Sequence, residues 1–240
     1  MKFPTPLLKG TLIKRYKRFL ADVELESGAM VTAHCANPGS MLSVNAPGSE
    51  VWLSPSPNPA RKLRYTWELI QVGKTLVGIN TAHPNRLVAE AIGEGTIGEL
   101  AGYANLRREV RYGTNSRIDI LLESPKHPPC YVEVKNVTMK RDLSASAPAE
   151  FPDSVTARGA KHLAELSRVA QKGERAVMLF LVQRADARAF APAADIDPVY
   201  AEALARAKSQ GVELLCYGCR LSSREIRVAK PLAIRLPLRA

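Results

Sequence analysis

At 240 residues, 46% of them apolar and 24% charged, the chain can build one large or two small cores and is excluded from the disordered class. Its 34 Lys and Arg against 23 Asp and Glu leave a net charge of +11, so a polyanion, nucleic acid first, is the expected partner. Four scattered cysteines exclude a disulfide framework, no apolar run is long enough to span a bilayer, and Lys9, Lys14, Arg15, Lys17 and Arg18 stand where a signal peptide needs apolar residues; the expected location is the cytoplasm, with no membrane partner.

Residues 1–82 alternate short apolar stretches with turns and show no amphipathic helix. Strands are predicted at Leu12-Ile13, Phe19 to Leu25, Met30 to Cys35 and Val51 to Leu53. A hairpin is predicted from Tyr65 to Asn80 around Gly73-Lys74. About five strands in this length predict an OB-like β-barrel as a first domain. The alternation of Leu63, Tyr65, Trp67 and Leu69 is what a half-buried strand needs, so these residues are expected to fill the barrel. Arg61, Lys62 and Arg64 beside them are placed to meet phosphates. Asn37-Pro38-Gly39-Ser40-Met41 reads as a tight type II turn, with Asn37 and Ser40 expected to face nucleic acid.

From residue 83 to 240 helices and strands alternate. Asn85 is the expected N-cap of a helix whose stripe is Leu87, Val88, Ala91 and Ile92, with Glu90 beside the stripe. Strands are predicted at 107–112, 117–122 and 130–137, followed by an aperiodic loop from Lys140 to Ala157. A helix from Arg158 to Lys172, a fully buried strand from Ala176 to Gln183, a helix at 198–209 and strands at 212–217 and 224–229 complete the chain. The fold class is therefore α/β with a β N-terminal domain: the small barrel, then a mixed sheet flanked by helices. Cys216-x-x-Cys219 has no second ligand pair near it and reads as structural.

Three charged residues stand out in this second part. Asp119 interrupts the apolar run Ile118 to Leu122, and Glu133 and Lys135 share one face of the strand Tyr131 to Val137. With Ile118 and Ile120 on the face opposite Asp119, pairing of the two strands would gather two carboxylates and an amine in an apolar sheet. That is costly unless they neutralise one another or hold a cation. Two carboxylates suit Mg²⁺ or Mn²⁺, and the lysine can steady phosphate charge or help activate water, the equipment for hydrolysing a phosphodiester. Glu90 is the candidate third carboxylate, and Gln183 the candidate for orienting a water. Arg117, together with Arg158, Lys161 and His162 at a helix N-terminus, are the candidates for phosphate contact; Glu165 shares the face of the last three.

These residues also carry a resemblance. Asn37-Pro38-Gly39-Ser40-Met41, Ser116-Arg117-Ile118-Asp119, Tyr131 to Thr138, Phe151-Pro152-Asp153 and Arg158-Gly159-x-Lys161-His162-Leu163 occur in this order, and together they resemble the sugar fermentation stimulation protein A family across the whole chain. The resemblance implies a bacterial protein with an OB-like barrel followed by a domain similar to the PD-(D/E)xK nucleases. The motif acids and lysine of that superfamily fall on Asp119, Glu133 and Lys135, and its helix glutamate on Glu90. It also implies DNA binding and a link to the regulation of sugar metabolism genes. Two functions are consistent with this: a metal-dependent nuclease acting on DNA, or a regulator that binds DNA without cutting it. The sequence does not fix the oligomeric state.

Overall fold

The computed structural model describes residues 1–113 and 116–236. Six strands open the chain: β1 (Leu8–Tyr16), β2 (Leu20–Leu25), β3 (Met30–His34), β4 (Glu50–Pro55), β5 (Tyr65–Val72) and β6 (Thr75–Gly78). They pair in the order β3-β2-β1-β4-β5-β6, and β3 meets the start of β5 in parallel through Ala33–Tyr65 and His34–Thr66. This last pairing closes β1 to β5 into the expected barrel. Leu12, Val23, Leu53, Trp67, Ile70 and Met41 fill its interior. Trp67 is fully buried, and its indole N–H donates to the Leu69 carbonyl at 2.9 Å, so it is barrel core.

The apolar alternation stops one residue short of its predicted end. Glu68 is an extra residue in β5, because Trp52 pairs with Leu69 and Leu53 with Trp67. This bulge reverses the facing of the strand. Leu69 therefore leaves the barrel interior and packs with Trp52 and Leu76 against the second half of the chain.

That half contains α1 (Pro84–Gly93), β7 (Asn105–Tyr112), β8 (Ser116–Ser124), β9 (His127–Val137), β10 (Ala149–Phe151), α2 (Ala157–Gln171), β11 (Arg175–Val182), β12 (Ala189–Pro192), α3 (Pro198–Ser209), β13 (Glu213–Leu221), β14 (Ile226–Pro231) and β15 (Ala233–Ile234). The main sheet runs β14-β13-β11-β9-β8-β7, parallel at its centre and antiparallel at both edges. Leu163, Leu166 and Val169 of α2 and Tyr200 and Leu204 of α3 cover one face, packing on Met178 and Phe180. Leu87, Val88 and Ala91 of α1 cover the other, on Ile120, Val132, Val134, Leu179 and Leu181. Burial on both faces explains the unbroken apolar run of β11, where each fully buried Leu or Phe contributes about 1.5–3 kcal/mol. Cys216 and Cys219 are three residues apart on one strand and pack in opposite cores.

Three local expectations are corrected. Asn85 does not cap α1: His83 occupies that position without a side-chain cap bond, and Asn85 lies in the first turn. Gly39 is not among the positive-φ glycines that a type II turn requires; Met41 takes φ 56° instead. The Lys140–Ala157 loop contributes β10 to a small three-stranded sheet, β10-β12-β15, too short to leave a period in the sequence. Among the described residues no helix is long and apolar enough to cross a membrane.

Candidate metal and nucleic-acid site

The site lies where β8 and β9 separate. Their ladder runs through Leu122–Cys130 and Leu121–Tyr131 and ends at Ile120–Val132. Beyond that point the Asp119 carboxylate substitutes for the missing rung, Oδ2 accepting the backbone N–H of Val134 at 2.7 Å. Its Oδ1 accepts from the Asn85 amide of α1 at 2.8 Å. The two isoleucines beside Asp119 were expected on one face, but Ile118 packs on the α2 side and Ile120 on the α1 side, so the strand changes phase at Asp119. Across from it on β7, Glu109 has φ 54°, a left-handed conformation that costs a non-glycine residue on the order of 1–3 kcal/mol. The Glu109 carboxylate accepts from the same Asn85 amide at 3.0 Å.

Glu133 and Lys135 share one face, as their spacing predicts, and it is the face covered by α2. Lys135 Nζ donates to Glu133 Oε1 at 2.5 Å, and His162 Nδ1 bonds the same oxygen. Arg158 Nε donates to His162 Nε2 at 3.3 Å, which assigns the ring proton to Nδ1 and makes the imidazole a donor to Glu133. Glu133 is 2% exposed, and among the described residues its second oxygen, Oε2, has no hydrogen-bond partner. One turn along α2, Glu165 is equally buried, and among the described residues neither of its oxygens is hydrogen-bonded; Lys161 Nζ stands 3.9 Å from Oε1.

The electrostatics tie these groups together. Burial, then the negative charge of Glu133, pushes the Asp119 carboxyl up to about 6, against the opposing pull of the Val134 N–H, Lys135 and Asn85. Burial also acts to raise Glu133, but the His162 bond and the Lys135 charge outweigh it and hold that carboxyl below its ordinary value. The buried Tyr112 hydroxyl, without a partner among the described residues, is driven far above its ordinary value by burial and then by Glu133, Glu165 and Asp119.

Asp119 and Glu133 fit a hard divalent cation. Both present carboxylate oxygens, and Oε2 of Glu133 is an orphaned buried acceptor, which is the kind of atom a cation satisfies. Among the described residues no three His, Cys, Asp or Glu side chains are arranged to hold a metal ion. Asp119 and Glu133 would offer two carboxylates, and Mg²⁺ is commonly held by one or two while it keeps several waters.

The other predicted residues divide into near and far. Arg158 and His162 adjoin the trio, and Lys161 and Arg117 are exposed on the flanking elements α2 and β8. Glu90 is engaged elsewhere, with its carboxylate 2.7 Å from the N-terminal amine and 2.8 Å from Arg86 Nε; Asn85 is the α1 residue that reaches Asp119. Gln183 is fully buried at the junction with the barrel, donating to Asn136 at 2.8 Å rather than facing the trio. Asn37 and Ser40 belong to a barrel loop docked on the second half: Ser40 Oγ donates to the Asp153 carbonyl at 2.5 Å and the Met41 N–H to its carboxylate at 2.7 Å. Arg64 is exposed on the barrel ahead of β5. Sequence reasoning missed Asn85 as a partner of Asp119, together with Glu109 and Tyr112. The one available signal was a lone glutamate among the arginines of 107–111.

Comparison with known proteins agrees with this architecture. A family model described as the sugar fermentation stimulation protein RE domain matches residues 82–225, and one described as the SfsA N-terminal OB domain matches residues 13–79. The chain belongs to the sugar fermentation stimulation protein family. A homolog from Rhodospirillum rubrum is 61% identical over 228 residues, covering 92% of this chain and 93% of its own. One from Paramagnetospirillum magneticum is 58% identical, with 98% of both chains covered. The solved structure of Pyrococcus furiosus SfsA in complex with Ca²⁺ is similar at a TM-score of 0.87 and 27% identity, covering 98% of each chain.

Proposed function

We propose that this member of the family is a divalent-metal-dependent phosphodiesterase that cleaves DNA. The observation that carries the reading is the Asp119 carboxylate bonded to the Val134 backbone between the paired Glu133 and Lys135, with one oxygen of Glu133 lacking a donor among the described residues. Asp119 and Glu133 hold the ion, and the Ca²⁺ in the P. furiosus relative supports a hard cation in this fold. When bound, Mg²⁺ or Mn²⁺ supplies Lewis-acid stabilisation of phosphate charge and a more acidic water. Lys135 holds Glu133 in place and presents its remaining N–H bonds to a phosphate oxygen or the attacking water. His162, oriented by Arg158, fixes Glu133 from the other side. Exposed Arg117, Arg158 and Lys161, with Arg64 on the barrel, contact the phosphate backbone, in keeping with the net charge of +11.

A second reading is a DNA-binding regulator of sugar metabolism genes that no longer cuts. The observation in its favour is that Lys135 and His162 already occupy Oε1 of Glu133. Incubation with DNA and RNA substrates in Mg²⁺ or Mn²⁺ separates the two. Cleavage abolished by Glu133→Ala and Lys135→Ala supports the nuclease. Salt-sensitive DNA binding without cleavage or ion uptake supports the regulator.

A further inference from the structure

A cavity of about 280 Å³ opens between the barrel loop at Asn37 and Pro38 and the segment from Phe151 to Thr156. Its floor includes Asn136, the residue after Lys135 on β9, and its rim includes Thr156, which caps the helix carrying Arg158 and His162 by accepting from the Gly159 N–H at 3.1 Å. The cavity therefore lies at the end of β9 that follows Lys135 and at the start of α2, and the barrel loop forming one of its walls is held there through Asp153.

Its walls combine apolar surface with fixed amide donors, and its two carboxylates are already engaged, Glu150 by Arg141 at 2.9 Å and Asp153 by the Met41 N–H at 2.7 Å. Pro38, Phe151 and Pro152 supply the apolar part. Asn37, 5% exposed, has its Oδ1 engaged by the Gly39 N–H at 2.9 Å, so its orientation is set and its amide N–H groups are the free end. Asn136 likewise has its Oδ1 engaged by Gln183 at 2.8 Å. Among the described residues nothing accepts from either amide nitrogen. A ligand matching this lining is planar, apolar on its faces and rich in acceptors along one edge. A nucleobase has that description: pyrimidine O2 and N3, and purine N3 and N7, are acceptors on a stacking ring.

We propose that this cavity receives the base of one nucleotide next to the phosphodiester held at Asp119 and Glu133, taken from an unpaired strand or turned out of a duplex. The inference rests on the nuclease reading above and adds to it the substrate class: a strand with one base unstacked beside the cut.

An abasic scan tests it. Single-stranded DNA carrying one abasic site at successive positions is titrated with the full-length protein without divalent metal, so that binding is read without cleavage. One position is expected to stand out, its abasic form binding roughly tenfold more weakly, as loss of a stacked base does. Asn37→Ala, and Ser154→Phe, which fills the cavity from its exposed rim, are expected to bind intact and abasic strands alike. Equal affinity at every position for the native protein, or position dependence surviving in both variants, would overturn the base pocket. Equally tight binding of free deoxynucleoside monophosphates would overturn its assignment to a strand. Failure to bind any oligonucleotide would sink the nuclease reading itself, a result distinct from the other two.

Discussion

Asp119 takes the place of a β-ladder rung by accepting the Val134 N–H, 2.7 Å away, at the point where β8 and β9 part. One carboxylate thus serves both the backbone and the candidate ion site. Asp119→Ala should leave a buried N–H without a partner and cost about 1–3 kcal/mol of stability. Asp119→Asn keeps an acceptor oxygen and should cost less, while its lost charge weakens divalent binding at least tenfold. Urea unfolding alongside Mn²⁺ titration checks both halves, and equal destabilisation by the two substitutions would contradict the rung role.

Lys135 and His162 converge on a single oxygen of Glu133, and their contributions are separable. Lys135→Ala should lower cleavage by about 10²–10³-fold, the usual loss on removing one electrostatic donor from a preorganised site. His162 acts through Glu133, so His162→Asn, whose amide can reproduce the Nδ1–H donor, should restore much of what His162→Ala loses. The readout is the rate of a single turnover with substrate in deficit. No difference between the two His162 variants would show that the bond to Glu133 does not position it.

The elements legible in the sequence are those with a long, unambiguous period. β11 showed as a continuous apolar run, and it lies within one residue of where that run put it. The pairing of Glu133 with Lys135 was legible because β9 keeps its two-residue alternation there, Val132 and Val134 sharing the other face. What escaped were departures from periodicity. The bulge at Glu68 turned Leu69 from the barrel to the domain junction, and the phase change at Asp119 separated Ile118 from Ile120. Asn85 escaped for another reason. A residue in a first helical turn can bond its own backbone or something distant, and only the packing of α1 beside β8 decides in favour of Asp119.

The junction between the two halves depends on a glycine. The Gly78 N–H donates to the Gln183 carbonyl at 2.9 Å, and a Cβ at this position would stand 2.6 Å from Gln183 Oε1 and 3.2 Å from a Leu221 methyl. Gly78→Ala should therefore force the strands apart at a cost of about 1–3 kcal/mol. A lowered denaturant midpoint would register it. Trimming Gln183 to Ala in the same chain should recover part of the loss, because the clash is with its side chain.

Glu68, the bulge residue, links the barrel to the helix that carries Asn85. Its carboxylate accepts from Ser54 Oγ at 2.7 Å and Asn80 Nδ2 at 2.8 Å, and lies 2.7 Å from His83 Nε2 just ahead of α1. Burial acts to raise its pKa, but the bonds from His83, Ser54 and Asn80 outweigh burial and leave the carboxyl below its ordinary 4.5. A depressed folded-state pKa means that the unfolded chain takes up the proton first as pH falls. The stabilisation is thus complete well above pH 4.5 and disappears as pH drops through the lower folded value. Glu68→Gln should cost about 1–3 kcal/mol at pH 7. Its deficit relative to the native chain should shrink in urea unfolding curves taken from pH 5 down to pH 3. A deficit unchanged across that range would mean that the carboxylate's charge contributes nothing to the junction, leaving only its shape and neutral hydrogen bonding.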